Sequence, residues 1–426
     1  MHILVENSGY DLANQGDIAM LQVAVARMHQ QWPTATIQVI TRAPERLARL
    51  CPSATPLAFH AAPSWYKQSF RKRLHDQVPA IALVPFNAGE RFVRTSLPWL
   101  ARQTALWNAK LHSDVELFLQ ADLVVATGGG YLTDSFEILA LLVMDTLEIA
   151  ARLGKPVALL GHGIGPLERP ALRAVARRVL PMIDLIALRE RRFGLPILRE
   201  LGVPEQRITT IGDEAVGLAY DQRQASIGNG IGVNIRIASY ADVDLAMAAL
   251  LRETLLDAAR RHTAPLVPVP IDTGSLESRS LSTRSDLGSI RELVGEAADY
   301  AAAEQIADPL DVIAQAARCR LVVTGSYHAA VFALSQGIPA VCLAKSAYYR
   351  YKFLGLADLF GPGCTVIELE NPQVREQLAQ AIDHAWEAAE ALRPALLAAA
   401  EGQIAAAQAA YQRLFGLVNA CAVHGQ

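Results

Sequence analysis

Short apolar runs that end in glycine or a polar residue recur along this chain, separated by stretches whose apolar residues fall at helical spacing. HILVEN leads into the loop SGYDLANQGD, then into IAMLQVAVARMHQQW, then into ATIQVITR. A strand, a crossover helix and a second strand form a β-α-β unit, which commits the chain to a parallel sheet. The alternation continues through ADLVVATGGG, KPVALLGHGIGPL, DLIALRERR and RITTIGDEA, with FEILALLVMDTLEIAARLG, ALRAVARRVLPMI and FGLPILRELG as the helices between them. The expected fold class is α/β, built on doubly wound, Rossmann-like sheets.

A chain of 426 residues exceeds one ordinary core, so two domains are expected. The polar, glycine-containing stretch YDQRQASIGNG, near 220–230, reads as the link. A second series follows it: GIGVNIRI, VDLAMAALLRETLLDAARRH, PLVPVPID, PLDVIAQAAR, RLVVTG, AAVFALSQG, IPAVCLA and CTVIELE. The domains are therefore placed at 1–225 and 226–372. The alanine-rich segment 373–426 reads as a broken helix whose end can cross back to the first domain. TGSLESRSLSTRSDLGS reads as a loop over an opening or as a lid. Residues 62–120 read as helices and long loops, ending in the short helix DVELFLQA capped by Ser113.

Hydrophobic content of 52% and charged content of 19% exclude disorder. A net charge of −3 argues against a general nucleic-acid binder. The five cysteines are odd in number and form no C-x-x-C pair, and Cys342 sits in an apolar strand, so a reducing compartment is expected. MHILVENSGYD has no basic region followed by a long apolar one, and no apolar run reaches the length of a membrane span. The expected location is cytoplasmic, with peripheral membrane contact still open.

In doubly wound sheets, ligands bind beyond the carboxyl ends of the strands. The residues there are Asn14, Gly16 and Asp17, then Gly128, Gly129, Gly130, Tyr131 and Asp134, then His162, Arg189, Glu190 and Asp213. The second half adds Asn234, Arg236, Asp272, Ser326, Tyr327 and His328. TGGG can free backbone N–H groups at a helix start for an anion, or can be a tight turn. Arg189 after LIAL can pair with Asp213 or Glu190, or can clamp a phosphate or carboxylate. His328 can cap the next helix, or can act as an acid, a base or a donor to an anion at a helix N-terminus. Lys345, Arg350 and Lys352, with Tyr348 and Tyr349, can be a solvated face or can hold a phosphate or nucleotide. G-x-G-x-x-G after the first strand, G-x-x-x-x-G-K-[ST] and G-x-S-x-G are all missing, which disfavours nicotinamide cofactors, P-loop chemistry and the nucleophile elbow. No histidine pair has metal-ligand spacing.

Five short motifs in order, NQGDIAML, VVATGGGYLTD, GHGIGPL, ALRERR with LRELG and IGDEA, and YHAAVFALSQGIPAVCL, resemble the polysaccharide pyruvyl transferase family over roughly residues 1 to 370. The resemblance implies two domains facing across a cleft, similar to GT-B glycosyltransferases. It implies transfer of the enolpyruvyl-derived unit of phosphoenolpyruvate to a sugar of a cell-wall or exopolysaccharide precursor, giving a pyruvate ketal, with no other cofactor and no metal. The acceptor implied is a sugar or a lipid- or nucleotide-linked glycan. Gly16 and Asp17 match the family's G-D pair, Gly128 to Gly130 its glycine run, Arg189 and Glu190 its R-[DE] pair, His328 its histidine, and Gly337 and Pro339 its G-x-P. The family's arginine two residues before that histidine is Ser326 here, so the cation meeting the donor would be Arg236, Lys345, Arg350 or Lys352, or else the donor differs. On this reading His328, Asp17 and Asp134 are catalytic. Gly128, Gly129, Gly130, Arg189, Arg236, Ser326, Tyr327, Lys345 and Lys352 meet the donor. Asn14, Tyr131, His162 and Glu190 meet the acceptor. The rivals are a GT-B-type glycosyltransferase holding a nucleotide sugar on residues 345 to 352, and a non-catalytic binding protein on the same fold.

Overall fold

The structure, a computed structural model, describes residues 1–7, 9–58, 117–235, 245–274 and 285–424. Arg236, most of the aromatic and basic stretch read between 62 and 120, and most of the serine-rich loop before Ser285 lie outside the described residues.

The apolar runs form two sheets whose described pairings are all parallel. In the first sheet the strands are β1 (His2–Glu6), β2 (Thr36–Thr41), β3 (Thr55–Ala58), β4 (Leu123–Ala126), β5 (Gly129–Leu132), β6 (Val157–Ile164), β7 (Leu185–Leu188) and β8 (Ile208–Thr210). They lie in the order β3-β2-β1-β4-β6-β7-β8, with β5 paired to β6. The second sheet holds β9 (Gly230–Asn234), β10 (Leu266–Pro268), β11 (Cys319–Thr324), β12 (Ala340–Ala344) and β13 (Cys364–Glu368), in the order β10-β9-β11-β12-β13. Strands β1, β4 and β7 read as unbroken apolar runs because helices cover both faces.

The helices that matter for the site are α1 (Gln15–Gln31), α2 (Glu137–Arg152), α3 (Gly194–Glu200), α4 (Ala215–Asp221), α5 (Tyr327–Ser335), α6 (Ala347–Phe360) and α7 (Val374–His424). Where the two halves meet, Ala215, Val216 and Ala219 of α4 share one core with Ala329, Ala330 and Ala333 of α5. Small side chains let these helices approach closely and bring the carboxyl ends of the two sheets together. A second seam runs along the entry to α1: Gln15 N–H donates to Ile271 C=O at 2.8 Å, Thr273 N–H donates to Ala13 C=O at 3.2 Å, and Asn14 and Asp272 form an antiparallel bridge.

Three expectations change. TGGG does not open a helix: its last two glycines enter β5, which pairs with the far end of β6, and α2 begins only at Glu137. GHGI, read as loop, is the end of β6. The alanine-rich tail is one helix of 51 residues with Pro394 inside it rather than a broken one. Its first part packs on the second sheet through Leu378 and Ile382, and its last part on the first through Tyr411, Leu414 and Phe415.

Candidate active site

The seam encloses a cavity of about 390 Å³ whose lining includes Asp17, Gly130, Ser326, Tyr327, His328 and Lys352. Asn14, Tyr131, Tyr348, Tyr349, Asp11 and Asp272 complete its polar and aromatic wall. The first sheet supplies one side and the second sheet the other.

From the first sheet, Asn14 caps α1, accepting from the N–H groups of Gly16 at 2.9 Å and Asp17 at 3.2 Å. That turn aims Asp17 into the cavity. Burial raises the Asp17 carboxyl above its usual range, against the pull of His328, Lys352 and Arg189. Asp17 keeps an opening to the cavity, so burial here means protein on the remaining sides.

From the second sheet, β11 ends at Thr324, whose hydroxyl accepts from Ser326 N–H at 2.8 Å and donates to Ser326 C=O at 3.0 Å. This turn starts α5 and places His328 in its first turn. The imidazole lies against the backbone of Gly16, where an added Cβ would fall 2.0 Å from the ring, so the close approach requires glycine. His328 is 7% exposed, and its buried Nε2 has no hydrogen-bond partner. At 3.7 Å from Asp213 Oδ2 it is too far for a hydrogen bond, but within ion-pair range when protonated.

Asp213 joins the halves. Its Oδ1 accepts from Ala215 N–H at 2.9 Å, and its Oδ2 faces both His328 and Arg189, the latter at 3.8 Å. Burial alone would raise this carboxyl, but His328 and Arg189 more than offset that and hold it below the usual carboxylate range. Arg189 is 1% exposed, its guanidinium 4.1 Å from the Tyr327 ring centroid. It stands behind the cavity wall, close enough that a Cβ added at Gly130 would fall 2.5 Å from an Arg189 Nη and 2.4 Å from Lys352 Cε. Lys352 reaches in from α6, hydrogen-bonded to the Tyr348 hydroxyl, with Nζ 3.9 Å from the Tyr348 ring centroid.

Several anticipated residues stand elsewhere. His162 is fully buried, outside either cavity lining. Its Nε2 donates to Ala126 C=O at 3.1 Å and lies 3.3 Å from the Tyr131 hydroxyl, whose own proton goes to Thr127 C=O at 3.0 Å. Burial drives the His162 imidazole down to about 3, so it supports Tyr131 rather than meeting an acceptor. Glu190 spends both oxygens on the start of α3, accepting from Phe193 N–H at 2.9 Å and Gly194 N–H at 2.8 Å. Asp134 accepts from the N–H groups of Glu168 at 2.6 Å and Arg169 at 3.2 Å, and lines a neighbouring cavity instead of the one holding His328. Gly128 is a packing position, where a Cβ would fall 2.7 Å from Met20 Sδ, and Gly129 pairs with His162 in the sheet. Lys345 follows β12 outside both linings, and Arg350 faces Glu368 at 3.8 Å, so residues 345 to 352 deliver one cation to the cavity, Lys352. Asp213, which sequence reading treated only as a pairing partner for Arg189, proves to be shared with His328. Its position at the end of IGDEA, after a strand, is the signal that could have found it.

Among the described residues no cluster of three or more His, Cys, Asp or Glu side chains could hold a metal ion, and no helix is long and apolar enough to cross a membrane.

The architecture is that of GT-B glycosyltransferases. HepE of Anabaena, solved in complex with UDP, superposes with a TM-score of 0.53 at 12% identity, covering 97% of this chain and 99% of that one. The UDP-GlcNAc 2-epimerase of Neisseria meningitidis, bound to UDP-GlcNAc, superposes with a TM-score of 0.54 at 10% identity, over 98% and 100%. In sequence, the amylovoran biosynthesis protein AmsJ of Erwinia amylovora is 21% identical over 376 residues, 84% of this chain and 86% of that one. The family model described as polysaccharide pyruvyl transferase matches residues 14–346, from the Asn14 cap through His328 to the end of β12 and just beyond. The chain belongs to the polysaccharide pyruvyl transferase family.

Proposed function

We propose that the protein transfers the enolpyruvyl-derived unit of phosphoenolpyruvate to two hydroxyls of a sugar in a polysaccharide precursor, forming a pyruvate ketal and releasing phosphate. The observation that carries this reading is the cavity itself: Lys352, His328 and Asp17 meet at the seam of the two sheets, with Arg189 and Asp213 directly behind them. A small trianionic donor needs concentrated positive charge, and two fixed cations with a protonatable imidazole supply it where Ser326 supplies none.

The balance of the reaction sets the roles. One sugar hydroxyl adds to C2 of the donor as a proton goes to the methylene carbon; the second displaces phosphate, which leaves with the other hydroxyl proton. Asp17, with its raised carboxyl, takes the first hydroxyl proton. His328 delivers a proton to the methylene carbon, and Lys352 holds the phosphate. Arg189 acts through the wall, keeping the chamber positive and holding Tyr327 and Asp213 in place. Each acid or base group of this kind contributes about 10²–10⁴-fold.

The test is phosphate release from phosphoenolpyruvate in the presence of glycan acceptors, together with calorimetry of donor binding. Release that depends on acceptor supports the proposal. No release with any acceptor, and no heat of binding, would reject it. A nucleotide sugar held on residues 345 to 352 gains no support, because that stretch does not converge on the cavity.

A further inference from the structure

Beside the cavity of about 390 Å³ lies a larger one of about 660 Å³. The two share Asp11, Asn14, Phe136, Leu139 and Asp272 in their linings, so they are adjoining chambers. The larger one has two unlike sides. Phe136, Ile138, Leu139 and Leu142 make one side apolar, and Ile138 is 62% exposed there. The other side carries four carboxylates, Asp11, Asp134, Glu137 and Asp272, against two guanidiniums, Arg42 and Arg169. One guanidinium is already taken, since Arg169 is ion-paired with Glu137.

An apolar side opposite oxygen acceptors matches a pyranose ring, whose C–H face is apolar and whose hydroxyls are donors. An excess of carboxylates opposes an anionic ligand, which would lose solvation without gaining partners. We propose that this chamber binds a neutral sugar of the acceptor glycan, with its C–H face on Phe136, Ile138 and Leu142 and its hydroxyls directed past Asp11 and Asp272 toward Lys352 and His328. The direction of the hydroxyls rests on the transfer reading; the choice of a neutral sugar rests on the chamber alone.

Binding of neutral hexose trisaccharides and of matched uronic-acid trisaccharides is measured by saturation-transfer NMR on the full chain, with phosphoenolpyruvate affinity measured separately by calorimetry. The neutral sugar is expected to bind at least ~10-fold more tightly than the uronate. Ile138→Asp, at an exposed position, and Asp11→Asn should each weaken the neutral sugar at least ~10-fold while donor affinity stays within about 2-fold. Equal or tighter binding of the uronate, unchanged sugar affinity in both variants, or no binding of any neutral trisaccharide overturns the proposal. Failure of the transfer reading would instead appear as absent donor binding in the unaltered protein, whatever the sugar results.

Discussion

His328 is held from two directions, by the turn that starts α5 and by the bare backbone of Gly16 from the other half of the molecule. Gly16→Ala should therefore leave a folded protein whose ring is displaced, and a displacement near 1 Å costs about 10²-fold in rate. Steady-state kinetics beside a thermal melt checks this, and a full-rate variant would contradict the close packing. His328→Ala should cost about 10²–10⁴-fold in kcat. Asp213→Asn is a different kind of change. It strands the buried Arg189 without its carboxylate, so denaturant titration should show a loss of about 3–5 kcal/mol, along with a shifted pH profile for any activity that depends on His328. His328 was legible in the sequence because a titratable residue directly after an apolar strand is conspicuous. Asp213 was less so, because its significance lies in two partners on separate elements that only the fold brings together. His162 shows the opposite error: its strand-end position suggested a ligand contact, but β6 runs on past it and carries the ring into the interior. The His162 ring should keep a single neutral tautomer between about pH 5 and pH 8, readable by nitrogen NMR.

At the level of elements, the strands were readable because parallel strands covered on both faces are continuous apolar runs, and helix spacing separates them. The errors sit where local chemistry admits two outcomes. Three consecutive glycines serve a helix start as well as a closely packed strand, and the choice between them was made by neighbours at distance, Met20 and the carbonyls of β6 against Gly128, Lys352 and Arg189 against Gly130. Pro394 suggested a break in the tail, yet a proline removes only one N–H from the ladder, and α7 continues through it because both of its ends are anchored on sheets. Glu190 sits beside a candidate donor-binding arginine and was grouped with it, although its oxygens close the first turn of α3. Glu190→Ala should accordingly cost stability, about 1–2 kcal/mol in a denaturant titration, while leaving the acceptor KM unchanged. A raised acceptor KM with unchanged stability would restore the binding role.

Across the whole molecule, the two halves are tied by α7, whose Tyr411 hydroxyl donates to Glu214, the neighbour of Asp213. Burial pushes the Glu214 carboxyl up to about 7, against the hydrogen bond from Tyr411 and the charge of Arg27. The unfolded chain loses this proton at an ordinary carboxylate pH, but the folded chain keeps it until near neutrality. Stability should therefore fall as pH rises through that interval and level off above about 7. Glu214→Gln should remove the fall, a difference of about 3 kcal/mol between the two pH profiles, measured by denaturant titration at a series of pH values. The same docking has a consequence for how the protein is made. The core that holds Ile3, Val5 and Leu21 is completed by Ala407, Tyr411, Leu414, Phe415 and Val418. Synthesis runs from the amino end, so the first strands to leave the ribosome wait for nearly the last turns of the chain before their apolar face is covered. A stalled or shortened nascent chain would present that face to chaperones and to other copies of itself, and removal of the last turns of α7 would be felt first in the half made earliest.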